Sequence, residues 1–479
     1  MGARKITIEP VTRIEGHGRV TIHLDEQGQV KETFFHVDEF RGLEKFCEGR
    51  PYYEMTQITQ RICGICPVSH HLAAAKACDA VARVEPPRPA KLLRELIHMG
   101  QVVQSHGMHF FHLAAPDLLL GFDADPAERN VFGIIRANPE LALKAVNLRR
   151  FGQQIIERLG GKRIHPNFTV AGGVNAALTA KDRQEIAAEL PTMLATAQEA
   201  IGIIKSWMDA NREWVSTFAA FPSGYMGLVD EEGGLQLYDG EIRVKDDQGK
   251  FIAQFKPEHY LSHIAEHVEP WSFLKFPYLR KLGWPKGIYR VGSLARMNVV
   301  DRIGTPLANE EFRLFRQLNG EKPVEGSLYY HYARLIETLY GLERIGQLLD
   351  DPEILSNDVR TAPWETHVPS QGVGVIEAPR GTLFHDYSTD ENGLLTRVNL
   401  IVATGNNNWA MHLAAGQVAK TYVDGTKLTE GMLNRVEAAI RCYDPCLSCS
   451  THAIGRMPLE VTLVAADGAI LDRVARGNG

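Results

Sequence analysis

The spacing of polar and apolar residues changes along this chain. Over the first forty residues, "KITIEP", "GRVTIHLDEQGQV" and "KETFFHVDEF" alternate with the period of a strand and are broken by glycine-containing turns, so they predict strands and turns. From about residue 52 the spacing becomes helical. Segments near 53–82, 89–116, 139–160, 180–220 and 326–350 each exceed the usual helix length and predict a multi-helix core. Residues 225–256 return to alternation with Asp/Gly turns and predict a small β excursion. Residues 351–382, rich in Pro and Gly, predict a loop carrying "GVGVIEAPRG", and "VNLIVATGNNN" predicts a strand leaving into a loop. A last helix is predicted from Thr429 as N-cap, with Leu433, Val436 and Ile440 on one face. "DP" at 444–445 ends it, because Pro445 cannot continue a helix and restricts Asp444. The expected fold class is mostly α (α+β): one body over 1–452, β-rich to about residue 45 and helical after it, with peripheral strands.

Composition narrows the function classes. With 479 residues, 44% hydrophobic and 23% charged, the chain has the make-up of a globular protein with a substantial core. A net charge of -6 argues against a nucleic-acid partner, which needs a clustered basic surface. No apolar run is long enough to span a membrane, and "MGARKITIEP" has no signal-peptide character, so a cytoplasmic location is expected. Seven cysteines in so long a chain do not make a disulfide framework.

Four of those cysteines come in pairs. "RICGICPVSHH" at 61–71 holds Cys63 and Cys66, and "DPCLSCSTH" at 444–452 holds Cys446 and Cys449. A C-x-x-C turn lets two thiolates point at one centre, and two turns supply four soft ligands. Zinc ribbons separate their pairs by tens of residues, not by nearly the whole chain. Spacing alone leaves zinc and another thiolate-bound metal on an equal footing.

Further motifs occur in order with these: "PVTRIEGHGRV" at 10–20, "EFRGLEKF" at 39–46 and "EAPRG" at 377–381. Together with both cysteine motifs, this end-to-end set resembles the large, catalytic subunit of nickel–iron hydrogenases. "FCEGRP", "RNVFG", "YHYAR" and "IRCYDPCLSCSTHA" make it most similar to the bidirectional, NAD-linked soluble type.

The resemblance implies the large-subunit fold of that family and reversible heterolytic cleavage of dihydrogen. It implies nickel bound by Cys63, Cys66, Cys446 and Cys449, with Cys66 and Cys449 shared with an iron that carries two cyanides and one carbon monoxide. Soft thiolates suit both metals. Cys446 and Arg380 are the candidate proton acceptors; the very high pKa of arginine gives Arg380 a positioning and electrostatic role first. Glu15 is the implied next proton carrier, against the plainer reading of a capping carboxylate or one salt-bridged to Arg13. Glu44, the Leu400 carbonyl and His452 resemble ligands of a magnesium site. His70 is placed to hydrogen-bond a bridging sulfur, Thr404 to donate to a cyanide, and Asp444 to join Arg380; Ala378 and Pro379 would line the cofactor through "EAPRG". Where many membrane-bound relatives carry an aspartate, "QSHGMHFF" has Ser105, so the charge pattern around Arg380 should differ. His106, His109 and His112, and Cys47, Cys78 and Cys442, are expected to be core residues.

No GxGxxG follows a strand, and there is no P-loop or spare cysteine run, so electrons must leave through other subunits. The resemblance implies a small subunit carrying iron–sulfur clusters, together with flavin- and NAD-binding diaphorase partners. NAD, flavin and iron–sulfur clusters would then belong to partners. It also implies that residues 453–479, which predict a hairpin around "ADG", are a C-terminal extension removed by a maturation endopeptidase. The competing readings are a hydrogenase coupled to a deazaflavin or ferredoxin, a metal-free complex I-like scaffold, and a structural zinc protein.

Overall fold

A computed structural model describes residues 4–362, 369–451, 460–464 and 470–475. The chain opens with β1 (Arg4–Ile8), β2 (Arg19–Leu24) and β3 (Val30–His36), an antiparallel meander in the expected alternation. A short α1 (Leu43–Cys47) follows. The stretch expected as one helix over 53–82 is instead broken: short helical turns run to Ile62, Cys63 is extended, and α2 (Pro67–Ala82) starts after Cys66. Pro67 explains the restart, since it is preorganised for the first turn of a helix and disfavours helix before it.

The helical core is made by α3 (Arg88–Met108), α4 (Pro139–Gly160), α5 (Ala180–Ala210) and α6 (Tyr329–Asp350). A π-helical turn, His109–Ala114, and a further helix to Leu120 prolong α3. Helices α3 and α4 cross at backbone distance: a Cβ on Gly152 would lie 2.4 Å from the Gly100 carbonyl oxygen. The β excursion is present as β4 (Gly224–Val229), β5 (Glu241–Lys245) and β6 (Phe251–Phe255), with β7 (Tyr289–Arg290) added in parallel against β4.

The last sheet departs from the sequence-based expectation. "GVGVIEAPRG", expected as a loop, forms β8 (Gln371–Ala378) and its turn into β9 (Gly381–Thr389), which pairs with β10 (Leu395–Ile401). The glycines that suggested a loop let a strand lie directly on a helix. A Cβ on Gly374 would meet the Ala73 carbonyl oxygen at 2.0 Å, and one on Gly372 the Ala77 carbonyl oxygen at 2.3 Å. The segment expected as a loop after β10 is also helical: Ala403–Asn406 forms one turn and runs into α7 (Asn408–Tyr422). Then comes α8 (Glu430–Arg441), capped by the Thr429 hydroxyl as anticipated. Farther on, β11 (Glu460–Val464) pairs antiparallel with β12 (Ile470–Ala475); the "ADG" turn between them lies outside the described residues. Among the described residues no helix is long and apolar enough to cross a membrane.

Candidate metal centre

The N-terminal cysteine turn is made by local structure. The backbone N–H groups of Ile65 and Cys66 donate to the Cys63 sulfur at 3.2 and 3.3 Å, and such donors favour a thiolate. Cys66 then serves as N-cap of α2.

The C-terminal turn is held from a distance. Asp444 has the left-handed φ of 53°, Cys446 is extended, and a single helical turn, Leu447–Ser450, carries Cys449. The Cys446 N–H donates to the Thr404 hydroxyl at 3.0 Å. The Leu447 N–H donates to the Glu15 carbonyl at 3.1 Å and the Ser448 N–H to the Glu15 carboxylate at 3.2 Å. Arg41 joins the two turns, donating to the Ile62 carbonyl at 2.6 Å and the Ser448 carbonyl at 3.3 Å. The loop carrying Glu15 is itself pinned to α8: the Thr12 N–H donates to Glu437 at 2.6 Å and Arg441 to the Thr12 carbonyl at 3.0 Å.

These elements bring all four predicted cysteines to one buried point. The sulfurs of Cys63 and Cys446 lie 3.2 Å apart, those of Cys66 and Cys449 3.6 Å, and those of Cys446 and Cys449 2.7 Å. One ligand atom from each residue falls within 4.8 Å of the others. Hydrogen bonds from Cys446, Cys449 and Cys66 hold Cys63 well below the usual thiol range, whereas burial pushes Cys446 and Cys449 well above it.

Arg380 and Asp444 stand beside the sulfurs, both buried, with Nη2 of Arg380 donating to the carboxylate at 3.0 Å. Burial opposes the Arg380 charge, but Asp444, Cys446, Cys66 and Cys63 outweigh it and keep the guanidinium protonated. Burial raises Asp444, against the pull of Arg380. Ser105 faces Arg380 at 3.4 Å, so the only carboxylate bonded to this guanidinium among the described residues is that of Asp444. Arg380 Nε and Asp444 Oδ2 have no hydrogen-bond partner there.

A small cavity of about 10 Å³ lies next to the cysteines, lined by Cys66, Cys446, Cys449, Ser69, His70, Arg380 and Thr404 together with apolar Ala378, Leu383, Val402 and Ala403. Pro379 is not part of the lining; its carbonyl and that of Ala378 accept from Arg296, which anchors the "EAPRG" turn from behind. Arg296 is itself buried between Glu337 and Glu377, at 2.5 and 2.6 Å. Burial would raise Glu337, but Arg296 and His106 bring it down to about 2.

The donor set fits a soft transition metal. Four sulfurs would also satisfy zinc, but a closed structural zinc site leaves no use for an adjoining cavity or for a buried guanidinium with a spare N–H.

Other predicted residues fall nearby. Glu15 lies beside the C-terminal turn and is not paired with Arg13, which bonds Asp117 and Asn434 instead. The His70 ring meets His385 through Nδ1 at 3.1 Å, and burial lowers its pKa to about 4. Glu44 accepts from the Leu400 N–H at 2.8 Å, and burial raises its pKa. That pair is adjacent, although the bond uses the Leu400 amide where its carbonyl was expected. His452 lies outside the described residues. His106 bonds Glu337 at 2.9 Å and His109 the Arg441 carbonyl at 2.8 Å, as core histidines do. Cys47, Cys78 and Cys442 are buried free thiols. Sequence reasoning missed Arg41, although it sits inside the quoted "EFRGLEKF", and it missed Leu383, Val402 and Ala403, which carry no chemical signal of their own.

Comparison with known proteins bears on the same residues. A family model described as nickel-dependent hydrogenase matches residues 41–131 and 227–452, and one described as HoxL-like matches 5–40. The chain is 42% identical to the NAD-reducing hydrogenase HoxS subunit beta of Cupriavidus necator, over 99% of this chain and 100% of that protein. It is equally 42% identical to one of the subunits of the F420-non-reducing hydrogenase of Methanothermobacter thermautotrophicus, over 98% and 100%. Among solved structures, an NAD+-reducing [NiFe]-hydrogenase in the H2-reduced state superposes with a TM-score of 0.91 at 45% identity, over 94% of this chain and 100% of that one. The Ni-Fe-Se hydrogenase of D. vulgaris Hildenborough, with a TM-score of 0.75 at 24% identity over 94% and 100%, shares the fold.

Proposed function

This chain belongs to the nickel-dependent hydrogenase family as its catalytic subunit, and on that premise we propose that it cleaves dihydrogen reversibly and passes the electrons through an iron–sulfur partner to NAD(P). The observation that carries the reading is the convergence of Cys63, Cys66, Cys446 and Cys449 on one buried point beside Arg380. When bound there, a nickel–iron centre with two cyanides and one carbon monoxide on iron would supply the acceptor for the electron pair of H–H. Cys63 and Cys446 would hold nickel alone, and Cys66 and Cys449 both metals.

The chain's own residues divide the remaining work. Cys446, the buried thiolate whose N–H is held by Thr404, takes the proton. Arg380, held cationic, orients and stabilises charge at the cavity and does not accept a proton. Asp444 fixes the guanidinium. Glu15, bonded to Ser448 on the cysteine turn, carries the proton outward. Ala378 and its turn close the apolar wall of the cavity. Thr404 uses its oxygen on the Cys446 N–H and keeps its own proton to donate to a cyanide. Glu44, Leu400 and His452 would hold magnesium; the contact between the first two supports that grouping.

The relatives are named as subunits of larger hydrogenases, which supports partner subunits in general. The specific partners in this reading are a small subunit carrying iron–sulfur clusters and a flavin- and NAD-binding diaphorase pair, all cytoplasmic. The mature body would be 1–452, with 453–479 removed by an endopeptidase. In support, the family match ends at residue 452, and the whole chain of the solved NAD+-reducing enzyme aligns with 94% of this one, whereas the full-length Cupriavidus protein aligns with 99%. A second reading, electron delivery to a carrier other than NAD, is favoured by the equal identity to the F420-non-reducing relative.

The test is an infrared spectrum of the chain purified with its natural partners. One carbonyl and two cyanide bands that shift under hydrogen are expected. Their absence from a chain whose mass ends at His452, with zinc found by elemental analysis, would overturn the reading. Reduction of NAD+ by hydrogen in the same sample decides between the two acceptors.

A further inference from the structure

Arg334 closes the motif "YHYAR" near the start of α6 and is 1% exposed. Its partners are few. Nη2 donates to the Cys442 carbonyl at 3.0 Å, Nη1 reaches the Tyr330 carbonyl and His331 Nδ1 only at 3.4 Å, and Nε has no partner. Among the described residues no carboxylate is bonded to it. Two carboxylates stand near enough to act on its charge, Asp444 and Glu337, and both are engaged elsewhere. Asp444 accepts from Arg380 at 3.0 Å, and Glu337 accepts from Arg296 at 2.5 and 2.6 Å. Arg290, equally buried and also without a carboxylate, is by contrast wrapped by four oxygens, those of Ser223, Glu325, Phe221 and Tyr225, and by two aromatic rings.

A buried charge is costly unless it is paired or fully hydrogen-bonded, and arginine does not escape the cost by giving up its proton. Capping the end of α8 explains the contact with Cys442 but not the charge. One residue earlier the Arg441 carbonyl accepts from His109 Nε2 at 2.8 Å, and burial holds that imidazole neutral. A neutral donor therefore serves at this helix end. What the position of Arg334 offers instead is proximity to the site. The chain runs from Cys442 through Asp444 to Cys446, and the charges that act on Arg334 include Asp444 and Arg380, the pair beside the sulfurs.

We infer that Arg334 is a second fixed positive charge for the metal centre, standing behind Arg380 and Asp444 and stabilising the negative charge gathered at the cysteines. The inference rests on the hydrogenase reading and deepens it. Four thiolates and two cyanides outweigh a divalent nickel and a divalent iron, so the loaded centre is anionic. Asp444 offsets Arg380, which leaves the charge of Arg334 to act on that centre. In a buried setting of low dielectric such a charge works beyond contact distance, and because it is already in place it needs no reorganisation.

The experiment uses the mature holoenzyme with its partner subunits and reads nickel and iron content and the infrared bands. All variants are measured at about pH 6, where a buried lysine beside Asp444 and Glu337 keeps its proton. R334M and R334Q retain the metals, and in both the carbonyl and cyanide bands move to lower wavenumber, because a cation removed from beside the centre leaves more density on iron. D444N, which removes the opposite charge, moves them to higher wavenumber. R334K keeps the charge and the wild-type bands. The inference is overturned if the R334M bands coincide with wild type or move to higher wavenumber, or if D444N moves them in the same direction as R334M. It is equally overturned if R334Q, which keeps an amide donor, retains the wild-type bands while R334M does not. The same holds if R334K shifts as far as R334M, or if neither neutral variant retains nickel and iron. Bands missing from the wild-type enzyme itself would instead defeat the underlying hydrogenase reading.

Discussion

The two cysteine turns have the same spacing and opposite construction. The turn at Cys63 and Cys66 is organised by its own backbone, with N–H groups on the Cys63 sulfur and a long helix starting at Pro67. The turn at Cys446 and Cys449 carries one short helical turn and takes its shape from Glu15, Arg41 and Thr404, each hundreds or tens of residues away. The first turn is ready to bind once the helix forms. The second depends on contacts with the rest of the molecule.

The largest expected effect treats the turns alike. C63S and C446S each remove a soft ligand, so nickel per chain should fall to background and hydrogen uptake should vanish in both; a normal nickel content in either would exclude that residue as a ligand. Next is E15Q, which keeps an acceptor for the Ser448 N–H but cannot carry a proton. Turnover should drop by roughly 10²-fold with metals intact, the scale of a lost acid–base group. Exchange of hydrogen isotopes with solvent should slow along with it. Unchanged exchange would return Glu15 to a purely capping role.

A smaller effect separates the turns. T404V strips the clamp-held turn of one support and leaves the buried Cys446 N–H unpaired, at about 1–3 kcal/mol. Nickel occupancy should fall in part, and the shortfall should grow with temperature; full occupancy at all temperatures would mean that Glu15 and Arg41 suffice. Smallest is T429A, which removes the α8 cap for about 1 kcal/mol, read as a lower Tm with unaltered infrared bands.

What could be read from sequence follows the same division. Features with a local cause were legible: the alternation of β1–β3, the Thr429 cap, and the C-x-x-C spacing. The break at Cys63 had a local signal too, in Pro67, but the helical periodicity on either side hid it. Features that depend on distant partners were not legible. Gly372 and Gly374 suggest a loop until α2 is in place to lie against them. Arg41 looks like one more exposed cation until Ile62 and Ser448 are brought to it. The cavity wall of Leu383, Val402 and Ala403 has no signature beyond being apolar. The ordered motifs identified the chemistry because they carry information about contacts that periodicity alone does not.

The bare backbone seam between β8 and α2 matters for anyone wishing to transplant this chemistry. Cys66 stands at the head of that helix and Arg380 just past the end of that strand, and nothing larger than glycine fits between the two segments at 372 and 374. A smaller scaffold that borrowed the cysteines and the arginine as separate loops would lose the fixed distance between them. The smallest portable unit is therefore the helix and strand together, glycines included.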